Sequence, residues 1–314
     1  MSSKIAMIGA GFVGAAASYA IALSGITSDL VLIDVLKEKA MGEALDIGHT
    51  LQFIKDMKIR SGDMDEISDA DIIVITAGTA RKPGETRLDL LKRNVGILRN
   101  SIIPEMKKHY KDSIILVVAN PVDILAYFTQ KDMGLPTGKV ISSGTNLDTM
   151  RLVYRLSEVM GVSTKSITAY ILGEHGESAF AAWSSANVAG RKLSGELKEF
   201  GVTFDDASKD QIMVDVKNGG ASIIKNKGAT YYGIGVSIVA ICRGILFDEK
   251  VVLPVGTMMD GLYGVTDVNV SMPSVIGRRG VEKVVDIGLS DAEAALFRKS
   301  ADVLKQSIKE VLEA

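Results

Sequence analysis

The stretch KIAMIGAGFVG, residues 4–14, decides the fold of this 314-residue chain. Its first half is a short apolar run that predicts a buried β-strand, and its second half is a G-x-G-x-x-G pattern. Residues 15–23 are rich in alanine and contain no helix-breaking residue, so a helix is expected there. A strand, a glycine-rich turn and a helix in this order are typical of a dinucleotide-binding β-α-β unit.

An acidic residue completes this unit. Residues 30–33 are again apolar and predict a second strand, and Asp34 follows it, about 20 residues after the glycines. Gly9 would permit the tight turn, Gly11 would let the backbone approach a pyrophosphate, and Gly14 would allow close packing of helix on strand. Asp34 can accept hydrogen bonds from both ribose hydroxyls, and its charge would repel a 2′-phosphate. The expected cofactor is therefore NAD, although the glycines alone would also fit a tight turn without a ligand.

Further strands are expected at residues 72–76, 114–118 and 140–143, separated by helical or polar segments. Strands that alternate with helices predict an α/β fold with a Rossmann doubly wound parallel sheet, here over residues 1–145. The carboxyl ends of such strands share one edge of the sheet, where these folds bind ligands. The residues expected to contact the cofactor are Gly9, Gly11, Phe12, Val13, Gly14, Asp34, Lys39, Thr76, Ala77, Gly78, Thr79, Val118, Asn120 and Ser143.

The second half of the chain, residues 146–314, is expected to form a catalytic α+β domain that binds the substrate. The boundary near Thr145 has no flexible linker. A strand is expected over residues 166–172 and antiparallel strands between residues 250 and 287. Helices are expected over residues 146–160, 206–226, 228–246 and 291–313, the last capped by Ser290 or Asp291.

The residues around His175 suggest that it has a catalytic role. It lies between two glycines in a turn that follows an apolar run, which is not a position for core packing. His49 follows a helical pattern and His109 lies in a run of lysines, so structural roles are expected for these two histidines. An imidazole has an unperturbed pKa of ~6.5, so it can both give and take a proton near neutral pH.

Two pairs of charged residues are further candidates for the site. Asp148 and Arg151 are three positions apart on a predicted helix and share one face, where they could also be an ordinary surface ion pair. Arg81 and Arg87 lie in a predicted loop, residues 77–90, after a parallel strand. Two cations there suggest an anionic substrate and a loop that can move, whereas the alternative is a solvated surface loop.

The composition narrows the class of protein. The chain is 47% hydrophobic and 24% charged, as in a soluble globular protein, and its net charge of -2 gives no reason to expect nucleic-acid binding. The single cysteine, Cys242, fits a reducing compartment. The first residues enter a strand pattern without a secretory leader, and no apolar run approaches the roughly 20 residues that span a bilayer. A cytoplasmic protein without membrane contact is expected, and three scattered histidines do not predict a metal site.

Taken together, the motifs resemble the L-lactate/malate dehydrogenase family over essentially the whole chain, and most closely its bacterial lactate-type members. The matching segments are residues 9–14, 81–90, 120–123, 147–151 and 173–176, together with Asp34. The resemblance implies a homotetramer or dimer that acts on a small 2-oxo or 2-hydroxy acid. A protein that binds NAD without turning it over would leave His175 and its charged partners without a role.

The resemblance also implies the catalytic roles. His175 would be the proton donor and acceptor for the substrate oxygen, and Asp148 would hold its imidazole and favour the protonated form. Arg151 would bind the substrate carboxylate with two parallel hydrogen bonds, for which lysine is no equivalent. Arg87 would polarise the substrate carbonyl once its loop closes. Arg81, Asn120 and Thr230 are further expected substrate contacts.

The choice of substrate depends on conflicting signals. Lactate-type members usually carry glutamine at the position of Arg81, whereas malate-type members carry arginine, which pairs with a second carboxylate. Residues 85–90, 143–145, 183–184 and 227–230 have lactate-type forms instead. Lactate dehydrogenase activity is the favoured interpretation, and malate dehydrogenase or broad-range L-2-hydroxy acid dehydrogenase activity is the alternative.

Regulation by a sugar bisphosphate is not expected. Many bacterial lactate-type members bind fructose 1,6-bisphosphate through an arginine and a histidine, and the matching positions here are Val153 and Thr168. Without those two cationic partners, little activation by this sugar is expected.

Overall fold

A mixed sheet of nine strands runs through this computed structural model, which describes residues 3–80 and 84–313. Smaller sheets of two or three strands accompany it in the second half. The strands are β1 (Lys4–Ile8), β2 (Asp29–Ile33), β3 (Lys58–Ser61), β4 (Ile72–Ile75), β5 (Ile114–Val117), β6 (Val140–Ser142), β7 (Ile167–Thr168), β8 (Ile171–Leu172), β9 (Phe180–Ala181), β10 (Asn187–Val188), β11 (Arg191–Lys192), β12 (Gly195–Leu197), β13 (Val202–Phe204), β14 (Val251–Asp260), β15 (Thr266–Gly277) and β16 (Gly280–Val284).

Helices cover both faces of the large sheet. They are α1 (Phe12–Ser24), α2 (Lys37–Gly48), α3 (Arg87–Ile97), α4 (Ile103–His109), α5 (Val122–Met133), α6 (Asn146–Met160), α7 (Asp206–Lys227), α8 (Tyr232–Leu246) and α9 (Asp291–Leu312). Within the described ranges, no helix combines the length and the apolar character that a membrane crossing requires.

The first six strands of the large sheet are parallel and lie in the order β3-β2-β1-β4-β5-β6. This is the order of a doubly wound dinucleotide-binding sheet, so the predicted fold class is confirmed. Successive residues of β1 point to opposite faces: Ile5 and Met7 belong to the buried cluster that includes residues of α1 and α8, and Ala6 and Ile8 belong to the cluster that includes residues of α3 and α5. Because both faces are buried, the strand is a continuous apolar run without alternation.

The antiparallel strands of the second half extend this same sheet. Gly256 of β14 pairs with Ser142 of β6, and β15 and β16 follow outward. The predicted antiparallel strands are therefore present, but they do not form a separate sheet. Helix α8 packs against α1, and α9 packs against α5, so the two halves share their hydrophobic core.

Three local expectations differ from the structure. Residues 166–172 form two short strands because the backbone at Ile171 bonds to side chains of Thr145 and Thr149. Arg87 begins α3 and is not in the loop, because Thr86 and Asp89 form a capping box that starts the helix there. Thr230 precedes α8, in the link from α7, and is not inside a helix.

Candidate active site

The glycine-rich turn joins β1 to α1, and each of its three glycines meets a different constraint. Gly9 has φ +106°, and a Cβ there would lie 2.6 Å from the backbone nitrogen of Ala77. A Cβ on Gly14 would lie 1.9 Å from the carbonyl oxygen of Gly9, so only glycine fits. A Cβ on Gly11 would have no neighbouring atom within 4 Å. The turn is therefore packed tightly on the protein side and open beside Gly11.

The helix that follows presents its amino terminus to this open side. Gly11 is its N-cap residue, no side chain caps the helix, and its first turn contains no acidic residue. Free N–H groups and the positive end of the helix dipole favour a negatively charged ligand at this place. The described residues therefore fit a cofactor that carries a pyrophosphate.

Asp34 is held at the same turn. Its carboxylate accepts hydrogen bonds from the backbone N–H groups of Ala10 at 2.6 Å and Leu36 at 2.9 Å. The predicted contacts Phe12 and Lys39 lie close together, with Lys39 Nζ 6.0 Å from the ring centroid of Phe12.

The ends of β4 and β5 are joined by a buried amide, Asn94 of α3. Its Oδ1 accepts hydrogen bonds from the N–H and hydroxyl of Thr79, both at 3.0 Å, and its Nδ2 donates to the carbonyl of Asn120 at 2.7 Å. Thr76 donates to the carbonyl of Gly9 at 2.9 Å. The sequence analysis assigned no role to Asn94. The signal for it is a polar residue three positions after Leu91 and next to Val95, on the apolar face of the helix.

His175 lies in the turn after β8 and contacts Asp148 directly. Its Nδ1 is 2.6 Å from Oδ2 of Asp148, while Oδ1 of Asp148 accepts a hydrogen bond from Arg151 Nη1 at 2.6 Å. The carboxylate therefore bridges the two cationic side chains, and it is only 13% exposed. With the Nδ1 proton directed at Asp148, the Nε2 atom is left for a ligand.

The neighbouring charges in this group shift the pKa values of His175 and Asp148 in opposite directions. Burial alone would lower the pKa of His175, but the charge of Asp148 and its hydrogen bond outweigh burial and raise that pKa above 6.5. Burial would raise the pKa of Asp148, but His175 and Arg151 together lower it below its ordinary value. The imidazolium form of His175 is thus stabilised near neutral pH.

A cavity of about 380 Å³ connects the cofactor edge to this histidine. It brings together predicted residues from both halves of the chain: Val13, Val118, Asn120, Ser143, Asp148, Arg151, His175 and Thr230. Arg87 lines a neighbouring cavity of similar volume, which Asn120 and His175 also line. The side chain of Arg87 is 62% exposed, and its guanidinium donates to Oε1 of Glu174 at 3.1 Å. Arg81 lies outside the described residues.

The histidine turn is anchored by residues that the sequence did not indicate. Ser300 of α9 accepts a hydrogen bond from the N–H of Glu174 at 2.7 Å. Gly173 has φ +91°, and a Cβ there would lie 2.5 Å from the same hydroxyl. From α5, Asp123 accepts a hydrogen bond from the N–H of His175 at 2.8 Å. Asp123 belongs to the segment 120–123 that matches the family. Its contact with His175 could not be predicted from the sequence, because the two residues are 52 positions apart.

In the part of the chain that the structure describes, no group of three or more histidine, cysteine or acidic side chains is placed to hold a metal ion. The site consists of a dinucleotide turn and a histidine–carboxylate–arginine group on one cavity. These are the parts of a dehydrogenase that moves a hydride and a proton.

The chain belongs to the lactate/malate dehydrogenase family and is an NAD-dependent oxidoreductase. The family's NAD binding domain matches residues 3–142, and its alpha/beta C-terminal domain matches residues 145–314. An L-lactate dehydrogenase of Thermoanaerobacterium saccharolyticum is 44% identical, over 98% of this chain and 99% of the relative. One of Clostridium botulinum is 43% identical, over 98% and 96%. The solved structure of the minor L-lactate dehydrogenase of Enterococcus mundtii matches with a TM-score of 0.94 at 39% identity, over 98% of both chains.

Proposed function

We propose that the protein is an L-lactate dehydrogenase that interconverts pyruvate and (S)-lactate with NAD. The observation that carries this proposal is the group formed by His175, Asp148 and Arg151, which faces the same cavity as the cofactor edge. The names of the similar proteins support the lactate substrate.

Substrate binding would begin at Arg151. Its planar guanidinium can bind both oxygens of a carboxylate, and the existing bond to Asp148 fixes the direction of the side chain. Asn120 and Thr230 line the same cavity and would contact the rest of the substrate. The substrate would thereby present its carbonyl oxygen to Nε2 of His175.

Proton transfer would then be the task of His175. NADH, when bound, supplies the hydride that reduces the carbonyl carbon, and negative charge develops on the carbonyl oxygen. The protonated His175 donates its Nε2 proton to that oxygen, while Asp148 stabilises the imidazolium before transfer. In the oxidative direction, the neutral imidazole would accept the proton from the hydroxyl of the substrate.

Arg87 would complete the site. Its guanidinium donates to Glu174 on the histidine turn and would polarise the substrate carbonyl. The loop predicted over residues 77–90 is also proposed to close over the cavity, which would exclude water and strengthen the electrostatic effect of Arg87.

The test compares two substrates. Saturation kinetics with NADH should give a higher kcat/KM for pyruvate than for oxaloacetate. The opposite order would favour malate dehydrogenase, for which Arg81 provides the specific reason. The substitution Arg81→Gln should then suppress oxaloacetate reduction selectively, whereas Arg191→Gln, on a surface strand, should change neither rate. Absence of turnover with both substrates would favour an NAD-binding protein without catalysis.

The remaining proposals concern organisation. We propose that residues 1–145 bind the cofactor, that residues 146–314 supply the acid–base group, and that the protein is a cytoplasmic homotetramer. Exposed apolar side chains on α2 and α8, namely Met41, Leu45, Tyr232 and Val236, support association between copies. Sedimentation equilibrium should give a mass of four chains.

A further inference from the structure

Another cavity, of about 760 Å³, lies outside the active site and has about twice the volume of either active-site cavity. Its lining comes from α3, α4, α5 and α9 and from the turn between α3 and α4. Among the described residues, none lines both this cavity and one of those that contain Asn120 and His175. It is therefore a separate feature of the molecule, and we call it the α3–α4 cavity.

One wall of the α3–α4 cavity is a face of a helical rod. Helix α3, a single π-type turn at Leu98–Ile102 and helix α4 follow one another without a break. Lys92, Gly96 and Arg99 are spaced by four and three positions, so they share one side of this rod. Lys107 lies further along it, and all four residues line the cavity.

The π-type turn places polar groups at the middle of this wall. The N–H of Ile103 bonds to the carbonyl of Leu98, five positions earlier. Pro104 has no N–H, so it cannot donate to the carbonyl of Asn100 as an α-helix would require. Arg99 and Asn100 lie in this turn and line the cavity. Single π-type turns occur frequently at functional sites.

The space itself exists because Gly96 has no side chain. A Cβ there would have only one neighbouring atom within 4 Å, Nδ2 of Asn100 at 3.9 Å. Val95 and Ile103 are buried and line the cavity, as does Val311 of α9. The buried part of the lining is therefore apolar, and the polar groups lie around it.

The guanidinium of Arg99 is held in place at this cavity. Asp132 of α5 accepts hydrogen bonds from Nε of Arg99 at 2.7 Å and from Nη2 at 3.3 Å. Its Cζ lies 5.0 Å from the ring centroid of Phe128. Within residues 3–80 and 84–313, no protein group accepts a hydrogen bond from Nη1 of Arg99. A fixed cation with free N–H groups is thus available to a ligand.

Two further cations, Lys92 and Lys107, line the same cavity. Neither has an ion-pair partner in the part of the chain that the structure describes, whereas the adjacent Lys108 pairs with Glu105 at 2.7 Å. The whole chain has a net charge of -2, so this local excess of positive charge does not follow from the composition. Concentrated positive charge at a concave surface attracts anionic ligands.

The spacing of the three cations indicates the size of the anion. At a rise of about 1.5 Å per residue, Lys92 and Lys107 each lie about 10–12 Å from Arg99 along the rod. A single small anion would contact one of these groups. A molecule with two or more phosphate groups could contact Arg99 and a lysine together, because lysine has a long and flexible side chain.

We propose that the α3–α4 cavity binds a small molecule that carries at least two phosphate groups. Arg99 is the fixed contact, and Lys92 and Lys107 are the flexible ones. The site does not depend on the proposed function, because its residues are not those of the active-site cavities. It also uses other helices than α2 and α8, which carry the exposed apolar side chains named above for association.

The test uses inorganic tripolyphosphate and titration calorimetry. The protein is saturated with NADH, so that the cofactor turn is occupied and cannot bind the probe. Saturable binding at one site per chain is expected, and the affinity should rise from phosphate through pyrophosphate to tripolyphosphate. Binding that disappears when NADH is present would place the probe at the cofactor turn and overturn the proposal. Absence of binding, or equal affinity for the three anions, would also overturn it.

A double variant tests the two lysines. Lys92→Gln combined with Lys107→Gln should weaken tripolyphosphate binding at least about tenfold, because two charge-assisted contacts are lost. The matched control is Lys108→Gln combined with Lys111→Gln, which removes the same charge from residues that do not line the cavity. It should change the affinity less than about twofold. Equal losses in the two double variants would mean nonspecific attraction by surface charge and would contradict the proposal.

A third variant tests the space without changing any charge. Gly96→Leu fills the middle of the cavity, and leucine is a better helix former than glycine, so the fold should be kept. Tripolyphosphate binding should weaken about tenfold, while the denaturant midpoint should stay the same or rise. Unchanged affinity in Gly96→Leu would show that the anion binds elsewhere. None of these titrations requires turnover, so a failure of the proposed function would leave their outcome unaffected.

Discussion

The cofactor turn and the histidine turn are built by opposite means. At the cofactor turn, three glycines within residues 9–14 set the backbone, and no side chain caps the helix that follows. At the histidine turn, side chains from α5, α6 and α9 converge on a short loop. The first region is specified by local conformation, and the second by packing between distant elements. Substitutions in the two regions should therefore fail in different ways.

The largest expected effect is at His175. His175→Gln should lower kcat about 10³-fold, because an amide cannot donate the proton that the imidazolium supplies, whereas NADH affinity should stay nearly unchanged. The measurement is steady-state kinetics with a fluorescence titration of NADH, and His109→Gln is the control. Loss of NADH binding in His175→Gln would mean that the two regions are not separable.

The next largest effect is at Arg151. Arg151→Lys should raise the KM for pyruvate about 10²-fold, because a point charge cannot replace two parallel hydrogen bonds to a carboxylate. Arg155→Lys, one turn later on α6 and paired with Asp215 on the surface, should leave KM within about twofold. Equal effects of the two substitutions would remove Arg151 from the substrate site.

Two glycines of the cofactor turn provide a contrast within one region. Gly14→Ala should reduce the free energy of unfolding by about 3 kcal/mol, since its methyl would overlap the Gly9 carbonyl. Gly11→Ala meets no protein atom and should cost less than about 1 kcal/mol, yet weaken NADH binding about tenfold by occupying the pyrophosphate path. Denaturant unfolding and NADH titration measure both effects. Normal NADH affinity in Gly11→Ala would place the pyrophosphate elsewhere.

The smallest expected effect concerns cofactor choice. Asp34→Asn should raise the ratio of NADPH to NADH activity about tenfold, because a negative charge that would repel the 2′-phosphate is removed. The paired kcat/KM values for the two cofactors measure this ratio. Glu38→Gln, an exposed acid at the start of α2, should leave the ratio as it is.

Much of the fold was predictable because its signals are local. The apolar runs of the parallel strands, the glycine spacing and the capping residues of α9 each lie within a few consecutive positions, and the strands and helix they predict are present. The predicted loop over residues 77–90 extends too far, because the capping box of Thr86 and Asp89 starts α3 at Arg87.

The sequence by itself determined the dinucleotide turn and the parallel sheet, because these depend on backbone conformation and on short spacing, and it singled out His175 as the candidate among three histidines. The tertiary structure alone decided that β14 continues the first-half sheet at Ser142 and that Asp123 and Ser300 hold the histidine turn. Those contacts join residues 52 and 126 positions apart. Such contacts form only when separate elements bury their apolar faces together, so no stretch of sequence contains them.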